Sequence, residues 1–170
     1  MTKNPCVNFD TSEVSIVVQG GLSDITDQCI QSLRTLFPNA EIILSTWADE
    51  KVVKIDTDKT ILSLDPGAVV CDKVTGTWNN VNRQIVSTQA GLAAATRTYT
   101  LKTRTDILIK SADFLSYFGK YDGEPSAYFK KRLLLCNYYT RNPRVFSTCF
   151  HPSDWLLFGR TEDLRKYYMK

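Results

Sequence analysis

A chain of 170 residues, 43% hydrophobic and 23% charged, is long enough to bury one core and too short for a second full domain. Its formal charge of +3 hides an asymmetry: residues 1–109 hold ten Lys/Arg against twelve Asp/Glu, whereas residues 110–170 hold eleven against six. No Lys/Arg run exceeds three residues, which argues against a nucleic-acid partner, and no apolar stretch is long enough to span a membrane.

The basic C-terminal third is interleaved with aromatics, among them Phe114, Tyr117, Tyr128, Phe129, Tyr138 and Tyr139, a mixture suited to anionic lipid at a membrane face or to a phosphorylated acceptor. The five cysteines, Cys6, Cys29, Cys71, Cys136 and Cys149, show no C-x-x-C spacing, and no signal-peptide pattern precedes them. Buried structural thiols in a reducing cytosol are the expectation.

Taken in chain order, residues 1–12 lack a period and read as a loose lead-in to one domain over 13–170. Val14–Gln19 is a short apolar run closed by Gly20-Gly21, a buried strand ending in a tight turn. Ser23 or Asp24 then caps a helix carrying Ile25, Cys29, Leu33 and Leu36, which Pro38 and Asn39 end. Glu41–Trp47 and Thr60–Leu64 read as interior strands of a mostly parallel sheet. After a loop from Gly67 to Trp78 comes a helix with Val81, Ile85, Leu92 and Ala95 as its apolar stripe, and Asn80, Arg83, Gln84 and Ser87 on the other side.

Tyr99–Ile109 is the next strand, and the two-residue period places Lys102, Arg104 and Asp106 on one face. If the strand is central, Asp106 must meet cations, a metal or a ligand; if it is an edge, the face is solvated, and the pattern alone leaves both open. An amphipathic helix from Ser111 to about Tyr121, a turn at Asp122–Pro125, a strand at Arg132–Cys136 and a turn at Asn142-Pro143 follow. The polar His151-Pro152-Ser153-Asp154 then precedes the apolar Trp155–Phe158, and Thr161 caps a last helix.

The chemistry gathers where the pattern calls for helix starts and strand ends, at Asn79–Thr88 and Tyr99–Asp106. In α/β sheets ligands bind beyond the carboxyl ends of strands, and a helix N-terminus favours anions, so a phosphate-bearing ligand is the first expectation. Asp106 and Asp154 could meet in one cleft, one holding a cation against phosphates while the other takes a proton from an attacking hydroxyl. Each acid alone is more often a cap or an ion-pair partner. His151 is the only histidine, which excludes a multi-histidine metal site; Walker, dinucleotide and G-x-S-x-G motifs are absent.

Val17–Gly20, Phe37–Glu41 running into Ile42–Trp47, Asn79–Ile85, Ser87-Thr88 with Gly91-Leu92, Leu101–Asp106, and His151–Trp155 through Phe158-Gly159 together resemble the WavE-type lipopolysaccharide-synthesis proteins, from about Val14 to Leu164. The resemblance implies a single Rossmann-like, GT-A-type α/β domain that transfers a sugar, hexosyl or similar, from a nucleotide-sugar donor to a glycan or glycolipid acceptor in lipopolysaccharide or capsule-like synthesis. By position it assigns Val18, Gln19 and Gly20 to the base and ribose, and Asn80, Arg83 and Gln84 to the diphosphate or donor sugar. Arg104-Thr105-Asp106 falls at the place of an Asp-x-Asp motif, and Asp154 at that of the catalytic base of inverting members.

Arg104 stands where the first acid of that motif would be. A divalent cation, Mn²⁺ or Mg²⁺, would then rest on Asp106, phosphate oxygens and His151, while Lys102, Arg83 and Arg104 offer an alternative way to offset the diphosphate's charge. The resemblance also leads one to expect a longer chain than one ending at Lys170, with the acceptor side missing, reduced or supplied by another chain. The rival reading is a nucleotide-sugar-binding module or inactive remnant. A nucleotidyltransferase would need a glycine- and lysine-rich phosphate loop near Gly20, which is not there.

Overall fold

The computed structural model describes residues 9–52, 55–72, 74, 76–121, 127–145 and 151–169. The apolar runs Val14–Gln19 (β1) and Glu41–Trp47 (β2) are buried along their whole length, as strands covered on both faces must be. Between them runs Thr26–Leu36 (α1), burying Cys29, Ile30 and Leu33. Lys59–Ser63 (β3) and the antiparallel hairpin Val69–Asp72 (β4) and Thr77–Asn79 (β5) lead to Val81–Ala94 (α2) and Tyr99–Arg104 (β6). Leu134–Leu135 (β7), Leu156–Arg160 (β8) and Thr161–Tyr168 (α3) follow.

The main sheet has the order β3-β2-β1-β6-β8-β7. Its first four strands are parallel, and β8 runs antiparallel to both β6 and β7. Alternation along β1 sends Val14, Ile16 and Val18 to one core with Ile30 and Leu33 of α1, and Val17 to another with Leu92 of α2 and Leu164 of α3. Helices therefore cover both faces of a mixed α/β sheet.

The reading of Glu41–Trp47 as an interior strand holds, but β3 lies at the sheet edge. Its exposure alternates, a pattern that five residues are too few to separate from a buried run. The strand expected to Ile109 stops at Arg104: the Thr105 N–H makes the last ladder bond to the Gln19 carbonyl (3.1 Å), and its hydroxyl closes onto Gly21 O (2.6 Å). β6 is central, between β1 and β8, which decides between the two readings of its charged face.

The segment expected to be helical after Ser111 is a single 3₁₀ stretch, Asp113–Tyr117, and the expected loop between Gly67 and Trp78 contains the β4–β5 hairpin. Within the expected lead-in over residues 1–12, Phe9 packs edge-on against Tyr99 and Phe158, and Asp10 accepts from the Ser12 amide. Thr161 is the first residue of α3 rather than its cap, its hydroxyl placed against the Arg97 carbonyl (2.6 Å) and the Thr100 hydroxyl (2.8 Å). Nor does Ser23 or Asp24 donate a capping side chain to α1; the Thr26 hydroxyl accepts from the Ser23 amide instead. Cys29 is buried and Cys136 half-buried, both as free thiols. Residues 1–8 and the turn at Asp122–Pro125 fall outside the described residues, as do Cys6 and Cys149.

Glu41 ties the sheet together at its amino-terminal end. It accepts from the Ser15 hydroxyl (2.5 Å), the Lys59 ammonium (2.6 Å) and the Thr96 amide (3.0 Å), linking β1, β2, β3 and the α2–β6 connection. These donors outweigh its burial and bring its pKa down to about 2.

The packing stripe of α2 is not the expected apolar one. Ser87, Thr88, Gly91 and Leu92 are its buried residues, whereas Val81 and Ile85 are exposed. Small residues let the helix approach closely: a Cβ at Gly91 would lie 2.4 Å from Val17 Cγ1 and 3.2 Å from Ser45 Cβ. Gly91→Ala should therefore lower unfolding free energy by about 1–3 kcal/mol, through overpacking. Denaturant titration checks this, and the loss should shrink in a Val17→Ala background; equal losses in both backgrounds would contradict the contact.

Candidate functional site

The chain leaves β1 for α1 on one face and reaches β6 after α2 on the other, so the carboxyl ends of β1 and β6 flank a crevice that no crossover fills. Register places Gln19 beside Arg104 there. Gly20 turns the chain out of β1 at φ 121°, a conformation that side chains disfavour, and donates its amide to the Ser45 carbonyl (3.0 Å). Across the crevice, Ser87 Oγ of α2 lies 2.6 Å from Gln19 Oε1, and Ser45 Oγ donates to the Ser87 carbonyl (2.7 Å). These bonds fix the N-terminal half of α2 over the strand ends.

The result is an open cleft of about 440 Å³. It is lined by Gln19, Gly20 and Gly21 after β1, Trp47, Asp49, Glu50 and Asp65 at the ends of β2 and β3, Asn80, Arg83 and Gln84 at the start of α2, and Arg104, Thr105 and Asp106 at the end of β6. The positive end of the α2 dipole opens onto it.

Both arginines of this cleft already hold carboxylates. Arg83 grips Asp65 through Nε (2.8 Å) and Nη2 (2.6 Å), with Nη1 on Asn80 Oδ1 (3.1 Å). Arg104 grips Asp106 in the same two-pronged way, at 2.8 and 2.6 Å. Each guanidinium holds its partner's carboxyl below the usual range, and each is itself raised by the bond.

Lys102 lies below this layer with no exposed surface, its ammonium donating to the backbone carbonyl of Asp154 and standing 4.0 Å from Asp154 Oδ2. Burial, partly offset by Asp154, lowers its pKa to about 8. Arg104 Nη1 approaches the same oxygen at 3.6 Å, so Asp154 Oδ2 has two charge partners and, although buried, no hydrogen bond.

Asp154 lines a second cleft of about 350 Å³, with His151, Pro152 and Ser153 on its own segment, Val81, Gln84 and Ile85 of α2, and Tyr139, Tyr167 and Tyr168. Gln84 borders both clefts. Burial raises the pKa of both Tyr167 and Tyr168.

The model of the family described as WavE lipopolysaccharide synthesis matches residues 14–170. The chain belongs to this family. No curated protein matches the chain significantly. Membership ties it to lipopolysaccharide synthesis, and among the described residues no helix is long and apolar enough to cross a membrane.

Of the positions singled out in this WavE-family chain, Gln19, Gly20, Asn80, Arg83, Gln84, Arg104 and Asp106 meet in the first cleft. Val18 points into the α1 core, and Lys102 lies beneath the cleft. His151 borders the second cleft and Asp106 the first. Among the described residues no three His, Cys, Asp or Glu side chains are arranged to hold a metal ion. A cation here would rest on a carboxylate such as Asp106 together with the ligand's own phosphate oxygens, a mode common for Mg²⁺.

Trp47, the last residue of β2, lies in a quoted motif without a role there, and Asp49, Glu50 and Asp65, which follow β2 and β3 at their carboxyl ends, escape the motifs altogether. Applying the strand-end rule to every parallel strand finds them. The tyrosines of the second cleft carry no such signal, since Tyr139 and Tyr167 come together only through tertiary packing.

The depressed pKa of Lys102 has a sign. The unfolded lysine binds its proton up to about pH 10.5 and the folded one only to about 8, so the burial penalty, full below pH 8, fades as pH rises through that window. Asp154, Arg104 and Asp106 are the charged groups acting on it. Relative to Lys102→Met, wild-type stability should rise by about 3 kcal/mol from pH 8 to 10.5, as read by urea denaturation. Parallel pH curves for the two proteins would contradict a buried, titrating Lys102.

Proposed function

We propose that this WavE-family protein is a glycosyltransferase that takes a sugar from a nucleoside-diphosphate donor in the first cleft and passes it to a glycan or glycolipid acceptor. The observation carrying this reading is the cleft at the β1–β6 strand ends, where Arg83 and Arg104 face the same space beside a helix N-terminus. A diphosphate fits that chemistry because guanidinium groups bind phosphate oxygens in pairs. On binding it would compete with Asp65 and Asp106 for the two arginines. Gln19 and the indole of Trp47 are the groups we assign to the nucleoside.

In the transfer, the acceptor hydroxyl gives its proton to Asp154, its oxygen bonds to the anomeric carbon, and the carbon–oxygen bond to the diphosphate breaks. Arg104 is suited to both halves of this step, being paired with Asp106 on the donor side and 3.6 Å from Asp154. The developing negative charge on the leaving diphosphate is stabilised by fixed cations in place of reorganising water.

Isothermal calorimetry with a series of nucleoside diphosphates tests the donor half. Arg83→Ala should weaken the best of them about tenfold or more, because a charged bidentate contact contributes roughly 1.5–3 kcal/mol, while Asp65→Asn, which releases Arg83, should tighten it. Chelating divalent cations should cost less affinity than losing Arg83 does. Unchanged affinity in Arg83→Ala would remove that residue from the site.

Asp154→Asn keeps shape and removes basicity. Sugar transfer should fall about 10²–10⁴-fold with donor affinity close to wild type, since a general base acts in the transition state. Transfer within a few-fold of wild type would overturn the assignment and leave Asp154 as a brace before Trp155.

A further inference from the structure

The second cleft has features that the donor reading does not use. Its wall is built from two segments held side by side: Arg141 and His151 form a β-bridge, the Ser153 amide donates to the Thr140 hydroxyl (3.0 Å), and the Trp155 amide to the Ser153 hydroxyl (3.2 Å). On this frame Tyr139 packs edge-on against Tyr138 (4.8 Å) and at a tilt against Trp155 (5.1 Å) while remaining 67% exposed. Tyr139 also has φ 62°, the one positive value at a non-glycine among the described residues. Left-handed backbone at a bulky residue costs free energy and persists where surrounding contacts impose it, often at ligand sites.

Opposite this ring, α2 exposes Val81 and Ile85, the apolar side chains that its packing against the sheet leaves out. Asp154, His151 and the phenols of Tyr167 and Tyr168 add polar groups to the same walls. A pyranose ring has apolar C–H faces and hydroxyls at its rim, so a cleft of aromatic and aliphatic faces edged by a carboxylate, an imidazole and phenols matches it in both respects. The volume of about 350 Å³ suits a small saccharide unit, and Gln84 joins this cleft to the first.

We propose that the second cleft is the acceptor subsite, seating a saccharide ring between Tyr139 and Ile85 with one hydroxyl directed at Asp154. The assignment rests on the transferase reading for its role and on the cleft itself for its ligand. Asp154 Oδ2 is turned toward Lys102 and Arg104, while the side chain as a whole stays 28% exposed and borders the cleft, where its carboxylate can accept from the entering hydroxyl. His151 is then a contact of the acceptor and not a metal ligand.

Saturation-transfer difference NMR tests this with methyl glycosides of glucose, galactose, N-acetylglucosamine and a heptose, the protein being held with excess nucleoside diphosphate. Saturation should reach the ring protons of at least one glycoside. Tyr139→Ala and Ile85→Arg should each cut that signal at least fivefold, with circular dichroism and nucleotide affinity unchanged. Absence of signal from every glycoside, or a signal indifferent to both substitutions, overturns the subsite while leaving nucleotide binding to speak for the donor cleft. Signal that depends on Tyr139 in a protein that binds no nucleotide supports the saccharide site and counts against the donor reading.

Discussion

Parallel pairing of β1 with β6 places Gln19 beside Arg104, and because the two strands are entered and left on opposite faces, their carboxyl ends stay uncovered by any crossover. The features of the first cleft depend on that reversal. The Gly20 amide ends the β1–β2 ladder on Ser45, the Thr105 amide ends the β1–β6 ladder on Gln19, and the Thr105 hydroxyl then ties the β6 end to Gly21. The close seating of α2, which needs glycine at 91, then carries Arg83 and Gln84 over the opening. A one-residue slip between β1 and β6 would turn Arg104 into the α1 core and Thr103 into the cleft.

A second consequence is the layer of charge under the cleft. Lys102 occupies a position where a parallel strand between two helical layers normally holds an aliphatic side chain, and its ammonium is tolerated because Asp154, on the segment entering β8, supplies a carbonyl and a nearby carboxylate. Stability is given up for position: the lysine fixes the backbone of Asp154, while Arg104 reaches it from the donor side. The same arginine, gripping Asp106, connects the two clefts electrostatically. Glu41 does comparable work at the other end of the sheet for structure alone, far from the crevice.

Much of this was legible in the residues. Unbroken apolar runs gave β1 and β2, and polar blocks at a helix start and a strand end pointed to the crevice, because a buried sheet leaves only its strand ends for chemistry. Lys102, Arg104 and Asp106 were visible as an anomaly, but whether their strand was central depended on β8, a pairing of distant segments with no local signature. The packing stripe of α2 departs from the apolar pattern because close helix–sheet packing selects small residues, and Ser87, Thr88 and Gly91 do not register as apolar. The 3₁₀ stretch after Ser111 has enough hydrophobic residues for a helix, yet Ala112, Phe114 and Phe118 are drawn onto the core as a tight turn. The tyrosine-lined cleft has no local signal because its walls come from four separated parts of the chain, α2, Tyr139, His151–Asp154 and α3.

A nucleotide lying in the first cleft is what the donor site requires, and a crystal structure of the protein with its best-binding nucleoside diphosphate tests that most directly. The diphosphate should lie between Arg83 and Arg104 at the N-terminus of α2, with the nucleoside toward Gln19 and Trp47 and the second cleft left open beside it. A nucleotide seated against Tyr139 and Asp154, or anywhere away from the carboxyl ends of β1 and β6, would contradict it.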